Sequence, residues 1–321
     1  MNPPMQADVI STIGKMLKDA RNILVIAHLR PDGDAIGSVV GMGLALQTSG
    51  KQVQMIMQDP IPARYRFLKG VELIRQSPGG HFDLSVALDS GDLERLGDLF
   101  KDDKPDINID HHITNELFAK VNLVIPDQVA TSAILAEYLP KWGFPLCAAA
   151  ADALCMGLLT DTNGFRIPSV TPATLELGAE LMRHGAALTE IYQQALVSQS
   201  LPASKLWGLA LSKLQFKEGL VWTSITLQDR DQAGYQGKDD AEIANFLTGV
   251  EGSRVALLFN EQDANKVKVS WRSRNHTDVA KLAQFYNGGG HPNAAGAEIA
   301  KSLQTAEKEI IQKTLEYMTG D

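Results

Sequence analysis

The chain has 321 residues, of which 44% are hydrophobic and 21% charged, enough for one large or two ordinary domains with sizeable cores. Its net charge of -8 argues against a broad basic face for long nucleic acid, but leaves room for a local phosphate pocket. No signal-like segment and no apolar run of ~18 residues is evident, which predicts a cytoplasmic protein without a membrane span. We expect both cysteines, Cys147 and Cys155, to be reduced core residues.

Taken in chain order, the first part of the sequence alternates apolar runs typical of buried strands with segments of helical periodicity. We predict strands at 22–28, 52–57, 71–74, 82–88, 107–109 and 122–125. We predict helices at 5–20, 35–49, 62–69, 131–142, 145–160 and 171–183, with Thr131 and Ser132 as helix caps. This alternation indicates an α/β domain with a mainly parallel sheet and helices on both faces.

Few strand signals occur between residues 189 and 214, which we predict to be a helical linker. Beyond it we predict strands at 220–227, 254–260 and 266–272, and helices at 241–247, 278–286 and 305–318. The predicted organisation is therefore an α/β domain at 1–188, the linker at 189–214, and a smaller α+β domain at 215–321.

Acidic and imidazole side chains follow several of the apolar segments of the first domain. They are His28, Asp32 and Asp34; Asp89; Asp110, His111 and His112; and Asp161, which could follow a helix instead of a strand. Each aspartate alone is explained by a turn or a helix cap. Because functional groups gather at the carboxyl ends of parallel strands, we expect the four segments together to form one cleft.

Five aspartates and three histidines in one cleft would raise each other's pKa sharply unless cations balanced them. The donors are carboxylate oxygen and imidazole nitrogen without thiolate, which favours Mn²⁺ or Mg²⁺ and leaves Co²⁺ and Fe²⁺ open. Two such metals can activate a water and stabilise an in-line phosphoryl displacement. The sequence therefore predicts a metal centre for phosphoryl chemistry.

A second informative stretch, residues 288–296, contains three consecutive glycines followed by His291 and ends at Gly296. Consecutive glycines let backbone N–H groups converge on an anion, although a flexible turn before a strand is the simpler interpretation. Arg272 and Arg274 precede the stretch, and guanidinium groups bind phosphate oxygens two at a time. Together these residues predict a phosphate-binding pocket.

These residues resemble the DHH phosphoesterase family. Its first motif is similar to His28-Leu-Arg-Pro-Asp32-Gly-Asp34, its second to Asp89, its signature to Asp110-His111-His112, and its fourth to Thr160-Asp161-Thr162. The DHH-associated C-terminal domain resembles the stretch 288–296 together with Arg272-Ser-Arg274. Within the family, the chain length and the pair of domains resemble the oligoribonuclease and pAp-phosphatase (NrnA-like) type.

The resemblance implies a role for each position. One Mn²⁺ would be held by His28, Asp32 and Asp89, and a second by Asp34, Asp89, His111 and Asp161, with Mg²⁺ or Co²⁺ as other candidates. The implied catalytic residues are His112 at the scissile phosphate, Asp110 as its orienting partner, and the bridging Asp89. The implied substrate-binding residues of the second domain are Arg272, Arg274, Gly289, Gly290 and His291.

The implied activity is that of a Mn²⁺-dependent phosphodiesterase and phosphomonoesterase in which a water activated by two metals attacks phosphorus. Its implied substrates are very short RNA, 3′-phosphoadenosine 5′-phosphate (pAp), or linear and cyclic dinucleotides such as pApA and cyclic di-AMP. A homodimer is also implied. Three rivals remain: an inorganic pyrophosphatase, a long-strand exonuclease of RecJ type, and a catalytically silent nucleotide sensor.

Overall fold

The computed structural model describes residues 3–101, 103–239, 241–273 and 277–320. The chain divides into two compact units, Met1–Ser198 and Gln199–Asp321. The predicted linker spans this boundary, and its two halves belong to different units. Its first half packs on the first unit through Ile191 and Ala195, and its second half packs on the second unit through Leu206 and Ala210. The domain limits drawn from the sequence stay a prediction.

The first unit contains a five-stranded, wholly parallel sheet with the strand order β2-β1-β3-β4-β5. Its strands are β1 (Asn22–Ala27), β2 (Gln52–Ile56), β3 (Leu84–Leu88), β4 (Ile107–Asp110) and β5 (Val121–Val124). Its helices are α1 (Pro3–Asp19), α2 (Gly33–Thr48), α3 (Thr131–Lys141), α4 (Ala148–Asp161), α5 (Pro172–Arg183) and α6 (Leu188–Tyr192), followed by a π-helical turn (Gln193–Val197). The mainly parallel α/β architecture predicted from the sequence is confirmed.

The two faces of this sheet are covered differently. Ile23 and Val25 of β1 join the main core with the long helices, whereas Leu24 and Ile26 face a smaller cluster. That second cluster is covered by a 3₁₀ segment (Glu94–Phe100) and by the irregular chain around Phe118. The expectation of helices on both faces was therefore wrong for the described part of this unit, since the described connections between β3, β4 and β5 contain a 3₁₀ segment and no α-helix.

A further correction concerns the predicted strand at 71–74. Val71–Leu73 forms a 3₁₀ turn, which follows Gly70 in a left-handed conformation with φ of 99°. The predicted helix at 62–69 is likewise reduced to a 3₁₀ turn at Ala63–Tyr65. Neither segment is long enough for its hydrophobic periodicity to distinguish a strand from a helix.

The second unit is built on a six-stranded mixed sheet with the order β10-β11-β9-β8-β7-β6, in which only β7 and β8 pair in parallel. Its strands are β6 (Gln215–Lys217), β7 (Leu220–Ile225), β8 (Val255–Asp263), β9 (Lys266–Ser273), β10 (Gly289–His291) and β11 (Ala294–Ile299). Its helices are α7 (Leu201–Leu211), α8 (Leu227–Ala233), α9 (Ile243–Leu247), α10 (Val279–Gln284) and α11 (Leu303–Gly320).

Helices cover both faces of the second sheet. Trp271 and Phe259 pack with α10 and α11, whereas Ala256 and Leu258 pack with α7 and α9. Both cysteines lie in the first unit and are free: Cys155 is buried and Cys147 is half-buried. Within the described ranges, no helix has the length and apolar character required to cross a membrane.

Candidate metal centre

The candidate metal centre lies at the carboxyl edge of the three central strands of the first sheet. His28 directly follows β1, Asp89 directly follows β3, and Asp110 is the last residue of β4. Because β1, β3 and β4 are parallel neighbours, these ends meet at one edge, as the sequence predicted. Asp161 reaches the same place from the last turn of α4.

The start of α2 contributes two carboxylates to this edge. Asp32 caps the helix by accepting a hydrogen bond of 3.0 Å from the Ala35 N–H, and Asp34 is buried in the first turn. Gly33 between them lies against the end of α4, where a Cβ would come within 2.3 Å of Thr160 Oγ1. The Asp-Gly-Asp pattern therefore lets α2 approach the segment that carries Asp161.

Asp89 lies between two imidazoles. Its Oδ2 is 3.5 Å from His28 Nε2, and its Oδ1 is 3.7 Å from His111 Nε2. His28 Nε2 is in turn 3.7 Å from Asp32 Oδ2, while His111 Nε2 is 3.3 Å from Asp161 Oδ2. The two oxygens of one buried carboxylate thus face two different groups of donors.

Three sets of donor atoms, each lying within 4.8 Å of one another, occur in this cleft. They are His28, Asp32 and Asp89; Asp34, His111 and Asp161; and Asp89, His111 and His112. All six residues that the sequence predicted as metal ligands are present in these sets. The structure therefore brings together the carboxylates and imidazoles that the sequence had placed in four separate segments.

The amino end of α3 holds the buried Asp34. The backbone N–H groups of Thr131 and Ser132 donate to its two oxygens, at 2.6 and 2.9 Å, and the Thr131 hydroxyl donates to Asp89 Oδ1 at 3.1 Å. The prediction that Thr131 and Ser132 cap the helix was wrong, since the cap position is Ala130 and has no side-chain cap. Burial raises the pKa of Asp34 well above its usual value, with Asp89 adding to the effect.

His112 is oriented by Asp110 in a buried network. Its Nδ1 lies 2.7 Å from Asp110 Oδ1, and since a carboxylate can only accept, Nδ1 carries the hydrogen and leaves Nε2 for a substrate. Asn115 donates to the other oxygen of Asp110 at 2.6 Å. Burial opposes the charge of Asp110, but the bond from His112 holds the pKa of this carboxyl below its usual value and raises the pKa of His112.

Neighbouring carboxylates also raise the pKa of the two imidazoles, His28 and His111, that belong to the candidate metal-binding sets. Burial alone would lower the pKa of His28, but Asp32 and Asp89 raise it to about 10. Burial likewise opposes the charge of His111, whose pKa is raised to about 10 chiefly by Asp161. The cleft therefore stabilises positive charge strongly at the positions of its imidazole nitrogens.

One buried atom tests whether these residues fit a metal ion. His28 Nδ1 donates to the Leu29 carbonyl at 2.8 Å, which fixes the ring, while Nε2 is buried and has no hydrogen-bond partner among the described residues. A buried imidazole nitrogen without a partner, aimed between the carboxylates of Asp32 and Asp89, has the environment of a metal ligand. The donor set fits a divalent cation of the Mn²⁺ or Mg²⁺ type.

The predicted substrate-binding residues of the second unit lie on one end of its sheet. His291 of β10 pairs with Ala294 of β11, which pairs with Arg272 of β9, so His291 and Arg272 share one face. Arg272 Nε donates to Asn245 Oδ1 of α9 at 3.0 Å, which holds the guanidinium on that face. Arg274, also predicted to bind substrate, lies outside the described residues.

Two of the three consecutive glycines, Gly289 and Gly290, belong to the short exposed strand β10, and Gly288 directly precedes it. Cβ atoms at Gly288 and Gly290 would come within 2.3 and 2.4 Å of the carbonyl oxygens of Gly296 and Ala294, so the pairing of β10 with β11 requires both glycines. At Gly289 a Cβ would meet no described atom within 4 Å. The sheet therefore explains two of the three glycines and leaves Gly289 for a ligand to approach.

Two aromatic residues that follow α10, Phe285 and Tyr286, lie on the other face of this sheet. Tyr286 stacks on Trp271 at 6.0 Å between ring centroids, within the core that α10 and α11 cover. Phe285 is exposed, and Lys313 Nζ lies 4.8 Å from its ring centroid. Neither aromatic residue shares the face of Arg272 and His291.

Sequence reasoning missed Thr131 and Asn115, which contact the site aspartates through hydrogen bonds. Both are uncharged, so a search for ligands and titratable groups passes over them. A signal was nevertheless available for Thr131, since a helix start opposite a cluster of acids offers free N–H donors. For Asn115 the available signal was an amide three residues after a pair of histidines.

Comparison with known proteins agrees with this arrangement. Residues 22–158 match the DHH family N-terminal domain, and residues 220–320 match the DHHA1 domain. The chain is 31% identical over 325 residues to a protein of Thermus thermophilus named bifunctional oligoribonuclease and PAP phosphatase NrnA, covering 98% of this chain and 96% of that one. A Bacillus subtilis protein of the same name is 27% identical over 92% of this chain and 93% of its own.

A solved structure with a similar fold is described as an exopolyphosphatase-related protein from Bacteroides fragilis. It has a TM-score of 0.87 and 25% sequence identity, and the match covers 97% of this chain and 96% of that one. The manganese complex of RecJ from Thermus thermophilus has a TM-score of 0.52 at 14% identity, which reflects the fold alone. On the strength of both matching domains and the full-length relatives, the chain belongs to the DHH family of phosphoesterases.

Proposed function

We propose that this phosphoesterase is a Mn²⁺-dependent hydrolase of short oligoribonucleotides and of pAp. The observation that carries the proposal is the position of Asp89, whose two carboxylate oxygens face His28 on one side and His111 on the other. The relatives named as oligoribonuclease and PAP phosphatase support the choice of substrate class.

Two cations would be held by two donor sets on either side of the Asp89 carboxylate. One set is His28, Asp32 and Asp89, and the other is Asp34, His111 and Asp161, whose His111 Nε2 lies 3.7 Å from Asp89 Oδ1. Bound there, the cations would supply an activated water and neutralise charge on the phosphate oxygens. The hydrogen bonds from α3 to Asp34 and Asp89 would keep these carboxylates in place before metal and substrate arrive.

His112 is the proposed proton donor to the leaving oxygen. Asp110 binds Nδ1, so a proton on Nε2 is available at the substrate, and the hydrogen bond from Asp110 raises the pKa of His112, which favours the protonated imidazole. As the bond from phosphorus to the ribose oxygen breaks, that oxygen takes the Nε2 proton. The attacking water forms the new bond to phosphorus through its oxygen and releases one proton to the solvent, which replaces the proton that His112 donated, so the hydrolysis balances.

The second unit would bind the part of the substrate that does not react. Arg272 is held by Asn245 on the same face as His291, and both can bind a phosphate or a sugar hydroxyl. Gly289, which no packing contact explains, would allow close approach of the ligand backbone. Because the chain has a net charge of -8, a local pocket of this kind suits short substrates better than a long strand.

The experiment compares two aspartates of the same loop. Asp89→Asn keeps the size of the side chain but removes the charge that faces both His28 and His111, so hydrolysis of an RNA dinucleotide and of pAp in Mn²⁺ should fall by at least ~100-fold. Asp92→Asn is the matched control, because the Asp92 carboxylate accepts the Arg95 N–H at 2.8 Å and Asp92 is in none of the three donor sets found among the described residues. Full activity and full manganese content in Asp89→Asn would contradict the proposal.

A further inference from the structure

We infer that Asn115 is a positioning residue of the reaction: its carboxamide fixes the Asp110 carboxylate, and Asp110 in turn fixes His112. The inference deepens the proposed function and rests on it, because it assigns Asn115 to the proton donor of the proposed hydrolysis. Asn115 lies in the turn after the two histidines and is half-buried.

The carboxamide of Asn115 connects two neighbouring strand ends. Its Nδ2 donates to Asp110 Oδ2 at 2.6 Å and to the Ser90 carbonyl at 3.0 Å, directly after Asp89. Its Oδ1 accepts the Leu117 N–H at 2.8 Å, so donors and acceptor are both used. The amide therefore joins the chain that follows β3 to the end of β4, the two segments that carry Asp89 and Asp110.

The opposite oxygen of Asp110 holds the histidines. Asp110 Oδ1 accepts the His111 N–H at 2.8 Å and the His112 Nδ1 hydrogen at 2.7 Å, so Asn115 and the histidine pair bind different oxygens of one buried carboxylate. The Asn115 N–H also donates to the His112 carbonyl at 3.1 Å. Rotation of the carboxylate would break both sets of bonds, and the amide opposes that rotation.

The consequence for the reaction depends on the leaving group. A ribose oxygen leaves well only when it receives a proton, so it needs the imidazole of His112 in the correct orientation. A p-nitrophenolate leaves without a proton and needs only the attacking water and the phosphate-binding groups. A residue that acts through His112 should therefore matter for the first leaving group and much less for the second.

The test measures kcat on an RNA dinucleotide and on the p-nitrophenyl ester of thymidine 5′-phosphate, in Mn²⁺, for two variants. Asn115→Ala removes all contacts of the amide, whereas Asn115→Ser keeps an acceptor for the Leu117 N–H but cannot reach Asp110. In both variants, kcat on the dinucleotide should fall roughly 10–100-fold, as is typical when a residue that orients a catalytic side chain is removed. The kcat on the p-nitrophenyl ester and the manganese content should stay near those of the wild-type protein.

Asn122→Ala is the matched control. Asn122 lies in β5 and is half-buried; its carboxamide accepts the Ala119 N–H at 3.1 Å and donates to the Ala119 carbonyl at 2.8 Å, and no hydrogen bond joins it to Asp110 among the described residues. This variant should lower thermal stability, but any change in kcat should be the same for the dinucleotide and for the p-nitrophenyl ester.

Equal losses on both substrates in the Asn115 variants, or no loss on the dinucleotide, would overturn the inference while the proposed function stands. A wild-type protein that binds manganese but hydrolyses neither substrate would overturn the proposed function, and the inference with it.

Discussion

Asp89 occupies the centre of the site in an unusual backbone conformation. Its φ is 55°, in the left-handed region that aspartate tolerates better than most residues, and its N–H donates to the Ile109 carbonyl at 3.1 Å. The chain turns away from the sheet at this residue, so the carboxylate lies between His28 and His111. This conformation places the carboxylate where the proposed binding of two neighbouring cations would require it.

At the residue scale, metal binding should release protons. In the metal-free protein His28 and His111 have a pKa of about 10, so both are charged at pH 7, whereas a metal ligand must be neutral. The affinity for Mn²⁺ should therefore rise with pH from neutrality up to about pH 10, above which these imidazoles are already neutral. Calorimetric titration with Mn²⁺ in buffers of different ionisation enthalpy measures the number of protons released.

The control for this titration is a histidine outside the centre. His184 Nε2 lies 3.6 Å from Glu180 Oε1, and His184 is in none of the donor sets of the described residues, so His184→Asn should release the wild-type number of protons, while His28→Asn should release about one fewer. Binding of Mn²⁺ without proton release at pH 7 would contradict the assignment of His28 and His111 as ligands.

At the scale of elements, close packing of α2 on α4 sets the width of the cleft. Gly37 of α2 lies against the backbone of α4, where a Cβ would come within 2.4 Å of the Ala153 carbonyl and 2.8 Å of the Gly157 nitrogen. A Cβ at Gly157 would come within 2.7 Å of Asp34 Oδ1. The two glycines therefore allow the helices to carry Asp34 and Asp161 into one donor set.

Gly37→Ala should destabilise the first unit by about 1–3 kcal/mol and weaken manganese binding, because the added methyl meets backbone atoms that cannot move aside. Urea unfolding and metal titration measure the two effects. Gly208→Ala is the control: Gly208 lies inside α7, its Cβ would meet no described atom within 4 Å, and helix propensity predicts a gain of about 0.5–1 kcal/mol. A Gly37→Ala protein as stable as wild type would refute the packing argument.

The start of α3 provides a second test at this scale. Thr131→Val removes the hydroxyl that donates to Asp89 but keeps the shape of the side chain, so the affinity for Mn²⁺ should fall about 10-fold. Thr131→Ser should restore it. Ser132→Ala should change it less, since Ser132 binds Asp34 through its backbone N–H at 2.9 Å, which the variant keeps. A similar loss in Ser132→Ala would mean that α3 acts through packing.

The sequence predicted the helices and strands that have a clear hydrophobic periodicity and missed those that depend on tertiary contacts. Strand β1 and helix α2 were predicted because a buried apolar run and a capped, periodic helix are local properties. Helix α8 was missed although Thr226 and Asp229 form a capping box, since its seven residues are too few for a period. The contacts of Thr131 with Asp34 and Asp89 span more than forty positions, and no local pattern contains them.

At the scale of the whole molecule, each unit has its own core and its own chemistry. The first unit holds the donors for metal, and the second presents Arg272, His291 and Gly289 at one end of its sheet. Pyrophosphate, long RNA and cyclic dinucleotides all contain phosphorus–oxygen bonds that the proposed metal centre could hydrolyse. Under the proposed function, the choice among substrates would therefore depend on what the second unit binds.

The most direct test of the account is turnover by the purified protein in Mn²⁺ on an RNA dinucleotide, pAp, a 24-mer RNA, cyclic di-AMP and pyrophosphate in parallel. We predict fast hydrolysis of the dinucleotide and of pAp, with the 24-mer at least ~10-fold slower, because a local pocket on an acidic chain does not track a long strand. Preference for the 24-mer or for pyrophosphate, or no turnover of any substrate by protein with manganese bound, would contradict it.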